Sequence, residues 1–289
     1  MSLGVLNNIA AIYSQNNLNQ TQNSLQNTLT QLSSGSRINS GADDAAGLAI
    51  ADGLHANVAA LTQSSQNATQ GVGLLQTADG ALSQVTNLLN RAVTLATEAA
   101  NGGLTTNQSA SADAEFQKIV TEIANIGTST NFNGSSVFSA SATNIFVSDG
   151  TASGATTFAD TVGVLTAGSV GTTTSGAAGQ SLSADKLTGA TPAAGATAAQ
   201  TALLDITTAI ADVANQRGIL GANINQLNAA SNVASSEQVN LTSAESNIRS
   251  TNYGQATSDL AKYKVLGQTG ISALAQANAV QQEVLKLLQ

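Results

Sequence analysis

The chain has 289 residues, of which only 26 are charged (9 Lys or Arg, 17 Asp or Glu), with 3% aromatics and a formal net charge of -8. So few and so scattered cations cannot form a phosphate-neutralising face, which excludes nucleic acid as a partner. Without cysteine and with a single histidine, His55, the common zinc sites are excluded too, and no cofactor is expected.

Residues 1–36 contain no charged side chain, and 21 of them are Asn, Gln, Ser or Thr. Leu18, Leu25, Leu29 and Leu32 fall within an arc of roughly 60° at helical spacing, so an amphipathic helix is expected there. Its polar residues lower helix propensity and no ion pair can support it, so alone it is marginal. The start lacks a basic n-region and is not read as a cleavable secretory signal, and no run approaches the length of a membrane span.

At 32–52 the chain reads "LSSGSRINSGADDAAGLAIAD". Gly35 can end the first helix in the left-handed conformation, and Ser40 with Asp43 fits a capping box for the next. Asp43 and Asp44 are then expected in its first turn, where the helix dipole favours them. Arg37 lies between stop and start. The segment is a joint rather than an active site, because His55 stands about 16 Å along the helix from Asp44 and offers it no catalytic partnership.

Beyond the joint, an alternating four-and-three spacing runs from Leu54 to Ala96 through Val58, Leu61, Ser65, Ala68, Val72, Leu75, Asp79, Leu82, Thr86, Leu89 and Val93. A second such run extends from Ile206 through Ile210, Val213, Arg217, Leu220, Ile224 and Leu227 to Ile248. Each predicts a long coiled-coil helix of roughly 64 Å. Between them, "DAEFQKIVTEIANIG" at 113–127 predicts a shorter helix with Gly127 as its stop. Asn133-Gly134 and Asp149-Gly150 predict hairpin turns within a small β element over about 130–165. Residues 167–200, rich in Ala, Gly, Ser and Thr and holding the only proline, Pro192, are expected to form loops with no core of their own. Near the C-terminus Leu260, Tyr263, Leu266, Ile271, Leu274, Val284, Leu285 and Leu288 predict a second amphipathic terminal helix.

These stretches resemble bacterial flagellin. The likeness lies in 32–52, in "NFNG" at 131–134, "NQRGILGANINQL" at 215–227, "NLTSAESNIRS" at 240–250 and "LAQANAVQQEVLKLL" at 274–288. The similar regions cover about 1–135 and 200–289. Where the family often has a proline near the C-terminus, this chain has Gln281.

The fold expected is mainly α: a long helical bundle or coiled coil with a small β-hairpin element, its terminal helices forming an inner coiled-coil domain. The resemblance implies an inner domain from 1–40 and 252–289, a long-helix domain from 41–166 and 200–251, and a short variable outward insert at 167–199. It implies a structural, non-enzymatic subunit of the motility filament, exported without a cleavable signal to the bacterial flagellum outside the cell. The partners implied are further copies of the chain in an open helical polymer, an export chaperone with the flagellar type III export apparatus, and the filament cap and hook-associated junction proteins.

Assembly candidates are Leu18, Leu25, Leu32, Arg37, Asp43, Asp44, Leu274, Leu285 and Leu288. A flagellin-sensing Toll-like receptor is the remaining partner implied, through Asn90, Arg91, Leu95 and Glu115; Asn90 stands where the immune-active pattern has Gln. Leu88 and Leu95 lie off the 54–96 seam and need a partner, either the third helix or the next subunit. Two alternatives remain: a hook-filament junction protein, which makes a short ring, and an intracellular coiled-coil adaptor, which needs no uncharged ends.

Overall fold

The computed structural model describes residues 8–150, 157–173 and 177–287, with side chains up to 283. Among the described residues there are five helices: α1 (Ile9–Ser34), α2 (Ala45–Ala99), α3 (Thr106–Ser129), α4 (Pro192–Arg249) and α5 (Tyr253–Leu287). Three two-stranded antiparallel sheets lie between α3 and α4. They pair β1 (Asn131–Phe132) with β2 (Ser135–Ser136), β3 (Thr143–Phe146) with β4 (Thr157–Asp160), and β5 (Val170–Thr172) with β6 (Ala178–Gln180). The chain divides into two compact units, one drawn from Met1–Ala56 and Val239–Gln289, the other from Asn57–Gln238. None of the described helices is long and apolar enough to cross a membrane.

In the unit formed by Asn57–Gln238, the buried positions of α2 other than Leu95 return in three-four alternation. One rail is Leu61, Ala68, Leu75, Leu82, Leu89 and Ala96; the other is Ser64, Gly71, Ala78, Val85, Ala92 and Ala99. The first rail is the expected one. The second departs by one residue from the expected Ser65, Val72, Asp79, Thr86 and Val93, all of which are only partly buried. Hydrophobicity favoured Val72 over Gly71, but at this position size decides. A Cβ on Gly71 would collide with the Ile145 side chain of β3 and come within 3.1 Å of Leu227 of α4. Small residues on this rail let neighbouring elements settle directly on the α2 backbone.

The same shift occurs on α4, where Ala199, Ile206, Val213, Leu220, Leu227 and Ala234 are buried, joined by Ala202, Ala209 and Gln216 rather than by Ile210 and Arg217. Displaced to the flank, Arg217 pairs with Asp79 across the two helices at 2.7 Å. Helix α4 also starts at Pro192, well before the expected Ile206. Proline is pre-set for a first helical position, and the Ala-rich segment after it has high helix propensity.

Helix α3 opens where Gln108 accepts from the Thr105 N–H at 2.9 Å, and it runs past Gly127 to Ser129. Gly127 is therefore not the stop. Its missing Cβ makes room for the Leu165 carbonyl, which would clash with any larger residue. Asn133 (φ 49°) and Gly134 (φ 80°) do form the expected tight turn of the β1–β2 hairpin. The strands continue past 165 into β5 and β6, and Val170, Leu182 and Leu187 join the helical core. The stretch 167–200 thus has no core of its own but borrows one.

Its attachment is partly acidic. The Asp113 carboxylate of α3 accepts from Leu187 N–H at 2.7 Å, and Gln117 donates to the Asp185 carbonyl at 2.7 Å. Asp185 keeps Oδ2 buried without a hydrogen-bond partner, and burial together with the neighbouring Asp205 carboxylate pushes its pKa up to about 6.

Two tests follow from this packing. Gly127→Ala should destabilise the chain by about 1–3 kcal/mol, whereas Gly80→Ala, at a helical site with open space around it, should stabilise by about 0.5–1 kcal/mol; urea titration followed by circular dichroism reads both. Unfolded, Asp185 ionises near 3.8, and folded only near 6. Its contribution is present below the lower value and is lost as pH rises through the higher one. Asp185→Asn should therefore flatten the fall in thermal midpoint between these two values.

Candidate assembly surfaces

The joint is built by backbone. Helix α1 ends on Gly35, whose φ of 71° is the left-handed cap, and a Cβ there would also meet the Tyr253 hydroxyl at 2.8 Å. The chain then pairs antiparallel with the segment between α4 and α5. Arg37 N–H donates to the Arg249 carbonyl at 2.6 Å, Thr251 N–H donates to the Gly35 carbonyl at 3.0 Å, and Ser36 bridges Ser250. Arg37 adds a guanidinium bond to the Ile248 carbonyl at 2.9 Å. Its charge is spent on a helix C-terminus, where the dipole favours a cation.

Asp43 and Asp44 precede α2 instead of lying in its first turn. The Asp43 carboxylate accepts from the Asn39 and Ser40 N–H groups at 3.0 and 2.8 Å and from the Ser40 hydroxyl at 3.1 Å. Those bonds, Asn39 first, lower its pKa below the ordinary value. Asp44 is the helix cap, accepting from Gly47 N–H at 2.8 Å. Between the two helices Ile38 is 1% exposed and touches Gly47, a buried anchor that no periodicity announces. His55 lies 3.4 Å from Glu245, which also meets Arg249.

Helices α1 and α5 pack on each other through a heptad stripe. On α1 it holds Ala11, Ser14, Leu18, Thr21, Leu25, Thr28 and Leu32; on α5 it holds Ala256, Leu260, Tyr263, Gly267, Gly270, Leu274 and Ala277. Leu18 fits against Gly270, where a Cβ would stand 3.2 Å away. Asn8 caps α1 and donates to the Ala277 carbonyl at 2.9 Å. Leu18, Leu25, Leu32 and Leu274 are thus partly buried within the chain, while Leu266, Ile271 and Leu29 face away. The Leu285 side chain and Leu288 lie outside the described residues. Helix α5 passes Gln281 unbroken.

This pairing leaves much apolar surface in water. Of the 26 residues of α1 only Thr28 is buried. Ile9, Ile12, Tyr13 and Leu29 of α1 and Val265, Leu266, Ile271 and Val280 of α5 are exposed, Ile12 by 54% and Ile271 by 59%. At helical spacing these side chains lie on several faces of α1 and α5, outside the stripe by which the two helices meet.

In the other unit, Arg91 of α2 grips Glu115 of α3 by two bonds of 2.7 and 3.1 Å. The hydrogen bond from Arg91 lowers the Glu115 pKa, and the pair stays in solvent. Asn90 is exposed beside it. Leu95, at 3% exposure, belongs to the core that holds Phe116 and Ile119 of α3, and Leu88 packs against the same core. The chain's own core therefore takes in both leucines.

Residues 5–143 match the model of the bacterial flagellin N-terminal helical region, and residues 203–288 match that of the bacterial flagellin C-terminal helical region. The chain belongs to the bacterial flagellin family. It is 30% identical to the flagellin of Listeria monocytogenes over 97% of this chain and 98% of that one. With the flagellin of Halalkalibacterium halodurans it is 32% identical over the same shares. With the flagellin of Salmonella dublin it shares 42% identity over 46% of this chain and 26% of that one. As a member of this family the chain is a structural subunit of the flagellar filament. The two matched regions hold the joint, both rails of α2 and the α1–α5 stripe.

Loss of the joint's anchor should be measurable. Ile38→Ala should cost about 2–5 kcal/mol and Asp44→Ala about 0.5–2 kcal/mol, while Arg37→Ala, removing a solvent-exposed bond, should cost less than either in the same chemical denaturation series.

Proposed function

We propose that α1 and α5 are the part of the subunit that packs against other copies, and that the polymer is an open helical one turned as a propeller. The observation that carries this reading is the number of exposed apolar side chains on a helix pair that buries little of itself. Because α1 has no charged residue, copies can close on it without stranding an ion in a dry interface. Repeated head-to-tail contacts of one kind give a filament rather than a closed ring.

The two helices form their stripe within one chain, yet each is marginal on its own, and burial against neighbours supplies the missing stabilisation. In free subunits both should open readily; in the polymer they should not. Such ends suit passage through a narrow export channel, with a chaperone holding the C-terminal segment, and assembly under a cap next to the hook-associated junction proteins outside the cell. The role is structural rather than enzymatic. Receptor sensing, where it occurs, would read the Asn90, Arg91 and Glu115 surface, with Leu95 shielded beneath it.

The decisive variants sit at exposed apolar positions. Ile12→Asp and Ile271→Asp should leave the circular dichroism of the free subunit unchanged and abolish filaments in negative-stain microscopy. Leu25→Asp, inside the stripe, should lose filaments and terminal helix together. Filaments of parental length from Ile12→Asp and Ile271→Asp would refute the surface. Amide exchange should find α1 and α5 poorly protected in the free subunit and well protected in the polymer; equal strong protection in both would refute ordering on assembly.

A further inference from the structure

The chain contains two Asn-Gly pairs, Asn101-Gly102 and Asn133-Gly134, which share their chemistry and differ in their surroundings. Asn101 is exposed in the connection between α2 and α3 and is followed by two glycines. Its own N–H is bonded to the Glu98 carbonyl at 3.1 Å, and its carbonyl accepts from Leu104 at 3.2 Å. The Asn101 side-chain oxygen already folds back over the following backbone, accepting from Gly103 N–H at 3.3 Å. Gly102 is exposed, and nothing lies within 4 Å of where its Cβ would be. Its N–H has no acceptor among the described residues. The nucleophile, its target carbon and the freedom to bring them together are all present in one turn.

Asn133 has none of that freedom. It sits at φ 49° in a two-residue turn closed on both sides by the pairing of Phe132 with Ser135 and Asn131 with Ser136. Ring closure there would have to break the hairpin first.

We infer that Asn101 is a site of spontaneous deamidation, converting to aspartate or isoaspartate through a cyclic imide with Gly102, while Asn133 is protected by its turn. The deprotonated Gly102 amide nitrogen attacks the Asn101 side-chain carbonyl carbon and forms a C–N bond. The bond from that carbon to Nδ2 breaks, and Nδ2 leaves as ammonia after taking a proton from water. Water then opens the imide at either carbonyl, breaking one of its two bonds to the Gly102 nitrogen and leaving a carboxylate. No enzyme, oxidant or metal is needed.

The product places a negative charge just past the C-terminus of α2, beside Glu98, where the helix dipole disfavours it. The isoaspartate form also adds a backbone carbon to the turn. A filament subunit that is made once and kept in use would carry this conversion as a record of its age, at one end of the rail that ends at Ala99.

The test is incubation of the full chain at mildly alkaline pH, followed by peptide mapping with mass spectrometry and release of isoaspartate. In folded protein, position 101 should convert at least about tenfold faster than position 133, because the latter must first open locally. In urea the two should convert at similar rates. Gly102→Ala, which the open space accommodates, should slow conversion at 101 without lowering the unfolding midpoint, and Asn101→Gln should remove the acidic species. Equal rates at the two positions in folded protein, a native ratio unchanged by urea, or an intact Asn101 in protein whose Asn133 has converted would each overturn the inference.

Discussion

A helix of 55 or 58 residues can keep one face buried over many turns only if the buried stripe returns every seven residues. Everything else in the unit of Asn57–Gln238 depends on that recurrence. One rail of α2 supplies bulk, with Leu61, Leu75, Leu82 and Leu89; the other supplies nearness, with Ser64, Gly71, Ala78, Ala92 and Ala99. A side chain on the second rail at Gly71 would leave Ile145 of β3 nothing to rest on.

The strand pairs follow from it. None has more than four residues per strand, too little to stand alone. Ile145 is buried over Gly71, Leu165 sets its carbonyl against Gly127, and Val170 joins the same interior. Buried polar groups are tied across the elements as well: Gln216 of α4 donates to the Val162 carbonyl, and Asp212 accepts from Gln180 N–H at 2.9 Å. The small sheets are surface layers pinned onto helices at positions where a side chain has been removed to admit them.

Much of this was legible in the residues, and the failures have one physical source. Seven-residue recurrence located both long helices, the Leu61 and Ile206 rails and the α1 stripe, because large aliphatic side chains dominate any hydrophobic count. Gly71, Ala78 and Ala92 escaped it, since their contribution is the volume they do not occupy. Composition misled in the same way over 167–200, where Ala and Gly looked like filler and proved to be the start of α4 and the β5–β6 pair. At the joint, Gly35 and the pairing of Asp43 with Ser40 were readable as local chemistry, but Ile38 was not, because its burial comes from a backbone arrangement with no period. The partner of Arg91 and the burial of Leu95 required the third dimension.

The crossing at Gly35–Arg37 and Ser250–Thr251 has a mechanical side. Two chain segments pass there side by side, laced by backbone bonds in opposite directions and by the Arg37 guanidinium. A single strand linking two helices would let one swivel freely about the other. A laced pair resists twisting, because rotation would stretch the bonds of one strand while slackening those of its neighbour. Losing any one of these bonds leaves the others in place, so the turn from α1 into α2 and the turn from α4 into α5 act as mutual braces.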